Sequence, residues 1–452
     1  MDTITPSNAQ LKKRPGLLTF ANAYKTPLII LFLAAVVLLV YHSVFSHQFQ
    51  MHWDDQWVVF NIYTENGLTH HNIYEIFTEY YHGQYSPLNQ LSYTLLYAAA
   101  GGDYNPRLFH TYSITVHILN VALTYFFIKN LLTQSKTFEN ISVQTISFVT
   151  AFIMAIHPFL VEPVAWMAAS KILLYSFFYL LALNCYFGYL RTKKVWYLAL
   201  VFLLFICSFG SKEQAVTLPA CLLLIDYVLK RELKKRNIWL EKAPFFLLAI
   251  FFAYITLLSQ KSTGVGLLSP VKQYPFYQNV IFGSYALTEY LVKCLIPIKL
   301  SFLYTFPNQI GFQVPWRFWI YPPLLLIIFS TLRDLLKNRW ILFAVVFFIL
   351  HLAVVLHVIP ISRFSIVADR YAYIASIAVF FLIAYYFDKA IRSLKYKNTA
   401  IALLIVYITY LGVYTSYHAM VWHDSDSLKK ETFDLIKKQE EVDKKLPKND
   451  TN

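Results

Sequence analysis

An all-α polytopic membrane protein is the fold class this sequence predicts, and three observations carry it. Apolar residues make up 57% of the 452 residues and charged ones only 14%, against roughly 25% charged in soluble globular chains. Runs near the roughly 18 apolar residues needed to cross a bilayer recur, at 27–45, 173–190, 341–357 and 371–387 among others. The formal net charge of +14 collects in short segments beside those runs, at 12–14, 191–194, 230–236, 333–339 and 389–397. That is the positive-inside pattern of cytoplasmic loops, so the charge reports topology and excludes nucleic acid as a partner.

Placing the basic loops inside and alternating the spans predicts the elements in order. Residues 1–25 form a cytoplasmic segment. The run after them is longer than a signal-peptide core and has no small-residue cleavage site behind it, so it reads as an uncleaved anchor. Residues 46–109 stay outside as a long loop. A span at 110–132 returns, and others follow at about 143–158, 168–190, 195–209, 214–229 and 243–260. The stretch 276–295 is long enough to cross but is interrupted by Ser284, Glu289 and Lys293. Counting it as a span would move the basic 333–339 loop outside, so 261–316 is expected to be an external re-entrant or interfacial segment. Spans at about 317–332, 340–358, 371–388 and 399–416 complete about eleven, within a membrane domain of 26–416. Residues 417–452 are an external polar tail, in which 428–436 has the pattern of a short amphipathic helix. Cys185, Cys207, Cys221 and Cys294 lie in or beside apolar runs without metal spacing and read as packing residues. No Walker loop, dinucleotide fingerprint or internal repeat is visible.

With this topology the polar clusters outside the basic loops gather on the external side. Asp54 and Asp55 follow Trp53 just beyond the first span, where one carboxylate can act as general base toward a hydroxyl while the other orients; the alternative is a pair of helix N-cap residues. His110, Ser113, His117 and Asn120 fall at i, i+3, i+7 and i+10 on one face of a span, suited either to bonding between helices or to lining a wet cavity. The two histidines are two helical turns apart, which disfavours a shared metal. Lys171, Lys212, Arg363 and Arg370 are cations on the side the charge rule leaves unexplained, and an anionic ligand explains them. Bridges from Lys212 to Glu213 or Glu162, and from Arg370 to Asp369, are the structural alternative. Trp53, Tyr85 and Trp166 can stack on sugar rings, although most aromatic residues belong to the interfacial belt.

Taken in order, these clusters resemble the transmembrane and tetratricopeptide-repeat O-mannosyltransferases and their shorter bacterial relatives without the repeats, in the C-type (GT-C) glycosyltransferase superfamily. The resemblance runs through Trp53-Asp54-Asp55, Pro87-Leu88, His110, His117 and Asn120, His157-Pro158 with Glu162 and Trp166, Ser211-Lys212-Glu213 with Asp226, and Asp369-Arg370-Tyr371 with Tyr373. Ser86, Ser113, Lys171 and Ala375 depart from the family pattern, which more often has Arg, Asn, Arg and Pro there.

The resemblance implies a GT-C fold of about eleven spans and an inverting transfer of a mannose-like sugar from a polyprenyl-phosphate donor to a hydroxyl of a protein, glycan or lipid. Asp54 is then the base and Asp55 the orienting carboxylate. Arg370, Lys212, Lys171 and Arg363 hold the donor phosphate, and Trp53, Tyr85, His110, His117, His157, Glu162, Trp166, Glu213 and Asp369 line the substrate pocket. The leaving lipid phosphate needs no protonation and is a monophosphate, so no metal cofactor is expected to be obligatory. The expected location is a bacterial cytoplasmic membrane, with the site facing the periplasm. A flippase or transporter of lipid-linked saccharides would place polar groups near the bilayer midplane and show repeats; a polymerase or ligase shares external loops and lipid-phosphate substrates. Both stay open at this point.

Overall fold

A computed structural model describes residues 17–263, 273–357 and 365–445. Among them the chain is helical throughout, with two isolated β-bridges and no sheet. The first long helix, α1 (Leu17–Val40), leads into a segment of four short helices, α2 (Asp55–Val58), α3 (Ile62–Glu65), α4 (His70–Thr78) and α5 (Pro87–Ala99). Side-chain caps start two of them: Asn61 accepts from Thr64 N–H and Thr69 from Asn72 N–H. Helix α6 (Pro106–Ser135) begins the same way, with Asn105 accepting from Leu108 N–H and a proline in the first turn.

The core is built on α6, α7 (Asn140–Ile156), α9 (Lys171–Thr192), α10 (Val195–Ser211) and α16 (Ser376–Ile391), which pack against one another. Between α7 and α9 the chain breaks at His157-Pro158, bends by 62°, and continues through the five-residue α8 (Val161–Ala165). Proline has no N–H to continue the ladder, which places the bend here. Residues 156–170 are buried, so this irregular stretch delivers side chains and backbone N–H groups into the protein interior.

The remaining helices are α11 (Leu218–Val228), α12 (Arg236–Lys261), α13 (Phe276–Leu295), α14 (Tyr321–Thr331), α15 (Arg339–Leu352), α17 (Lys397–Val421) and α18 (Ser425–Lys445). Only 17% of the apolar stretch of α12 and 11% of that of α17 is covered by protein. They leave Leu247, Ile250, Phe251, Leu403, Val406 and Val413 exposed, and helix faces of that kind are stable against lipid rather than water.

The span count differs from the sequence reading. Among the described residues four helices are long and apolar enough to cross a membrane, namely Pro106–Ser135, Met167–Thr192, Arg236–Lys261 and Lys397–Val421, with a fifth if the bent pair at Pro158 counts as one. Helices α11 and α14 have 11 residues each; at 1.5 Å per residue each reaches only about 16 Å, half of a hydrocarbon core. The stretch read as a re-entrant or interfacial segment contains α13, one unbroken helix of 20 residues whose Lys293 and Tyr290 are buried in the protein. The tail helix α18 runs for 21 residues, well beyond the amphipathic stretch read at 428–436.

Candidate active site

The two adjacent aspartates have opposite environments. Asp54 precedes α2 but its side chain caps nothing; it is exposed, and its Oδ1 accepts the indole N–H of Trp57 at 3.3 Å. Asp55 is completely buried. Its Oδ2 accepts the backbone N–H of Gln50 at 2.7 Å and its Oδ1 that of Ala168 at 2.7 Å. Burial pushes this carboxyl up to about 7; the two backbone donors oppose the rise and the neighbouring Asp54 adds to it. The alternative of an N-cap pair is not met, because neither carboxylate caps α2. Asp55 fastens the segment after α1 to the turn after Trp166, and Asp54 is left exposed.

Three of the expected phosphate ligands come together beside this pair. The charges of Lys212, Glu213, Asp54 and Arg370 are all felt at Lys171. Lys212, almost buried, pairs with Glu213 at 2.8 Å. The Arg370 guanidinium pairs with Glu162, whose other oxygen accepts the Arg370 backbone N–H at 2.8 Å. The partner is Glu162 and not the adjacent Asp369, because the 369–372 turn packs against α8, which carries Glu162. Arg370 also lies over the rings of Trp166 at 5.3 Å and Tyr371 at 4.8 Å. Lys171 differs from both: its ammonium donates to the neutral amide oxygen of Gln84 at 2.6 Å. Its charge is therefore not cancelled by a bonded carboxylate. Arg363 lies outside the described residues.

Trp53 and Trp166 meet at Phe302, with ring centroids 4.4 and 5.3 Å away, and Trp422 stacks on Trp166 at 5.5 Å. The buried indole N–H groups of Trp53 and Trp422 have no hydrogen-bond acceptor, while that of Trp166 lies beside the Asp55 carboxylate. Asp369 is buried beside Tyr304 and Lys293; burial pushes its carboxyl well above the usual range and Lys293 pulls it back. Glu213 lies at the Lys212 end of the cluster.

Other expected pocket residues stand apart. His117 bonds through Nδ1 to the Tyr373 hydroxyl at 2.6 Å, Asn120 donates to Leu173 O at 2.9 Å, and Ser113 donates to Val164 O at 2.6 Å. His110 packs on His47, with ring centroids 5.8 Å apart. The polar face of α6 thus ties helices together. His157 takes the Phe159 N–H at 3.3 Å inside the bend and packs at a tilt on Phe380, ring centroids 4.8 Å apart. Tyr85 donates to Phe77 O at 2.9 Å. Sequence reasoning missed Gln84, Phe302, Trp422 and Lys293 as neighbours of the site. Only Lys293 carried a signal, as a charge inside an apolar run. Among the described residues no group of three His, Cys, Asp or Glu side chains is arranged to hold a metal ion.

No family model matches the chain, and no curated protein matches it significantly.

Proposed function

We propose that the chain is an inverting glycosyltransferase that moves a mannose-like sugar from a polyprenyl-phosphate donor to a hydroxyl acceptor at the external membrane face. The observation that carries the reading is Lys171: a cation held by an amide instead of a carboxylate, within electrostatic reach of the exposed Asp54. A lipid phosphate brought to Lys171, with Lys212 and Arg370 behind it, would set its anomeric carbon near a carboxylate free to act.

Asp54 removes the proton from the acceptor hydroxyl as its oxygen attacks C1 from the face opposite the phosphate. The C1–O bond to phosphate breaks, its electron pair stays on the phosphate oxygen, and the configuration inverts. Polyprenyl phosphate leaves as an anion that Lys171 stabilises. Asp55, with each oxygen engaged by a backbone N–H, holds the loop in register and is a positioning residue. On this reading the helices assemble a GT-C arrangement of about eleven spans, with the 213–217 and 316–320 turns lengthening α11 and α14. The N-terminus is cytoplasmic and the membrane is a bacterial inner membrane.

The test uses the full-length protein in lipid nanodiscs with radiolabelled polyprenyl-phosphate sugars and cell-envelope acceptors. Wild type transfers label, and Asp54→Asn loses about 10²-fold or more of the rate. Transfer at the wild-type rate by that variant rejects the base. Scrambling of lipid-linked saccharide without any transfer rejects the enzyme reading in favour of a flippase.

A further inference from the structure

Lys171 departs from the way this protein treats its other covered cations. Lys212 pairs with Glu213 at 2.8 Å, Arg370 with Glu162, and Lys242 with Asp226 at 3.2 Å, as charges withdrawn from water ordinarily must. Among the described residues Lys171 bonds instead to the neutral Oε1 of Gln84, at 2.6 Å. Both side chains line a slot beside Trp57 whose empty space, open mouth included, is about 480 Å³, so the ammonium is reachable. The two carboxylates of that slot are engaged elsewhere: Glu79 accepts from Tyr63 at 2.6 Å, and Glu75 stands 3.0 Å from His71.

The backbone that presents Gln84 is unusual as well. Tyr81 and Gln84 exchange N–H···O bonds of 3.1 and 3.0 Å across a two-residue turn, with His82 at a φ of 47° and Gly83 at 72°. Positive φ at both central positions is the tight hairpin turn that glycine and asparagine favour, and a histidine there is strained. The turn is clamped from both sides. The Gly83 carbonyl accepts from Ser259 at 3.3 Å, and a Cβ on Gly83 would come within 2.5 Å of Thr263 Oγ1. The His82 ring packs on that of Trp57 at 4.7 Å, and the Trp57 indole N–H bonds Asp54 at 3.3 Å. One fixed turn therefore reaches Lys171 directly and Asp54 through Trp57. Strain of this kind persists where the surroundings over-determine it, and it gathers at ligand clamps.

Stability alone would favour a carboxylate at position 84, which would bond the ammonium more strongly. An amide gives the other balance: it fixes the place of the ammonium and leaves its charge free to act on something else. We infer that Gln84 is a positioning residue, which holds Lys171 as an uncompensated cation for the phosphate of a polyprenyl phosphate. The inference rests on the glycosyltransferase reading above and assigns the residue that keeps the charge of its phosphate ligand available.

Two variants separate charge from position. Gln84→Glu keeps the length of the side chain and sets a carboxylate on Lys171; Gln84→Met keeps the length and removes the acceptor. Equilibrium binding of tritiated farnesyl phosphate to the full-length protein in nanodiscs, with farnesol as the uncharged control, is expected to weaken about 10- to 100-fold in Gln84→Glu. The unfolding temperature of that variant stays at or above that of wild type. Gln84→Met is expected to weaken binding about tenfold, and to add nothing further when combined with Lys171→Met. In the transfer assay Gln84→Glu raises the donor KM, whereas a mere loss of folded protein would lower kcat alone. Farnesyl phosphate bound at wild-type strength by Gln84→Glu, an equal loss for farnesol, or losses in Gln84→Met and Lys171→Met that simply add, overturns the inference. The two levels come apart cleanly. Gln84-dependent binding of farnesyl phosphate with no transfer from any polyprenyl-phosphate sugar supports the inference and rejects the enzyme reading. Transfer with an unchanged donor KM in Gln84→Glu rejects the inference and leaves glycosyl transfer standing.

Discussion

Asp54 and Asp55 are neighbours in sequence and unlike in every physical respect. Removing the Asp55 side chain strands two buried N–H groups, those of Gln50 and Ala168, at about 1–3 kcal/mol each. Asp55→Ala is therefore expected to lose several kcal/mol in thermal unfolding, whereas Asp54→Ala, whose carboxylate is exposed, stays within about 0.5 kcal/mol of wild type. The pH dependence has a definite sign. Burial raises the folded carboxyl from 3.8 to about 7, so folding favours its protonated form. That contribution is complete below the ordinary carboxylate range and is lost as pH rises through about 7. Unfolding temperatures followed across this window should fall with rising pH in wild type and flatten in Asp55→Asn. At Lys171 the expectation concerns binding: Lys171→Met should raise the donor KM about 10- to 100-fold, the worth of one charge-assisted phosphate contact, with little change in stability because its present partner is the neutral Gln84. The acidic pair and the cations were legible in the sequence as residue types in the wrong place for topology. Their roles were not, because Asp55 is satisfied by backbone N–H groups and Arg370 by Glu162, far away along the chain.

Helices were more legible than their ends. The apolar runs at 110–132 and 168–190 became α6 and α9, since a long run needs no partner information to be helical. The break at Pro158 was present in the letters, but its 62° bend and the burial of everything through Ser170 come from packing that no local pattern encodes. The turn between α9 and α10 shows the same limit. Lys193 stands at a φ of 58° to close α9, and the two helices then run back so closely that a Cβ on Gly188 would come within 2.5 Å of the Tyr197 ring. Alanine ordinarily gains about 1 kcal/mol over glycine within a helix, but displacing a mid-ring contact costs about 1–3 kcal/mol, so the clash is expected to win. Gly188→Ala should lower the unfolding temperature, and Gly188→Ala with Tyr197→Ala should recover more than the sum of the two single changes allows. Additive single and double variants would mean that the two helices do not rely on this approach.

Over the whole molecule, hydropathy and charge identify a membrane-embedded helical chain, but they count charges without showing which of them are already paired. Arg231 was read as one of the topological cations of the 230–236 loop. It folds back instead, bonding Asp226 at 3.1 Å and Glu241 at 3.0 Å. Lys242, fully buried, closes the network with Asp226 at 3.2 Å and the Tyr186 hydroxyl at 2.8 Å. Two acids and two bases thus join α9, α11 and α12 with no net charge, at the end of the protein remote in sequence from the acidic pair. Such a cluster holds because each member is compensated, and its stability is most sensitive to the loss of one partner. Asp226→Asn leaves Lys242 and Arg231 sharing a single carboxylate, and is expected to cost about 3–5 kcal/mol. Asp226→Leu together with Lys242→Met removes one charge of each sign, leaves Arg231 with Glu241, and should restore most of that loss. Thermal unfolding in detergent and the yield of membrane-inserted protein measure both. A double variant as unstable as the single one would show that the network is held by the geometry of Asp226 itself and not by charge balance, and α12 would then depend on one hydrogen-bonded side chain for its place against the core.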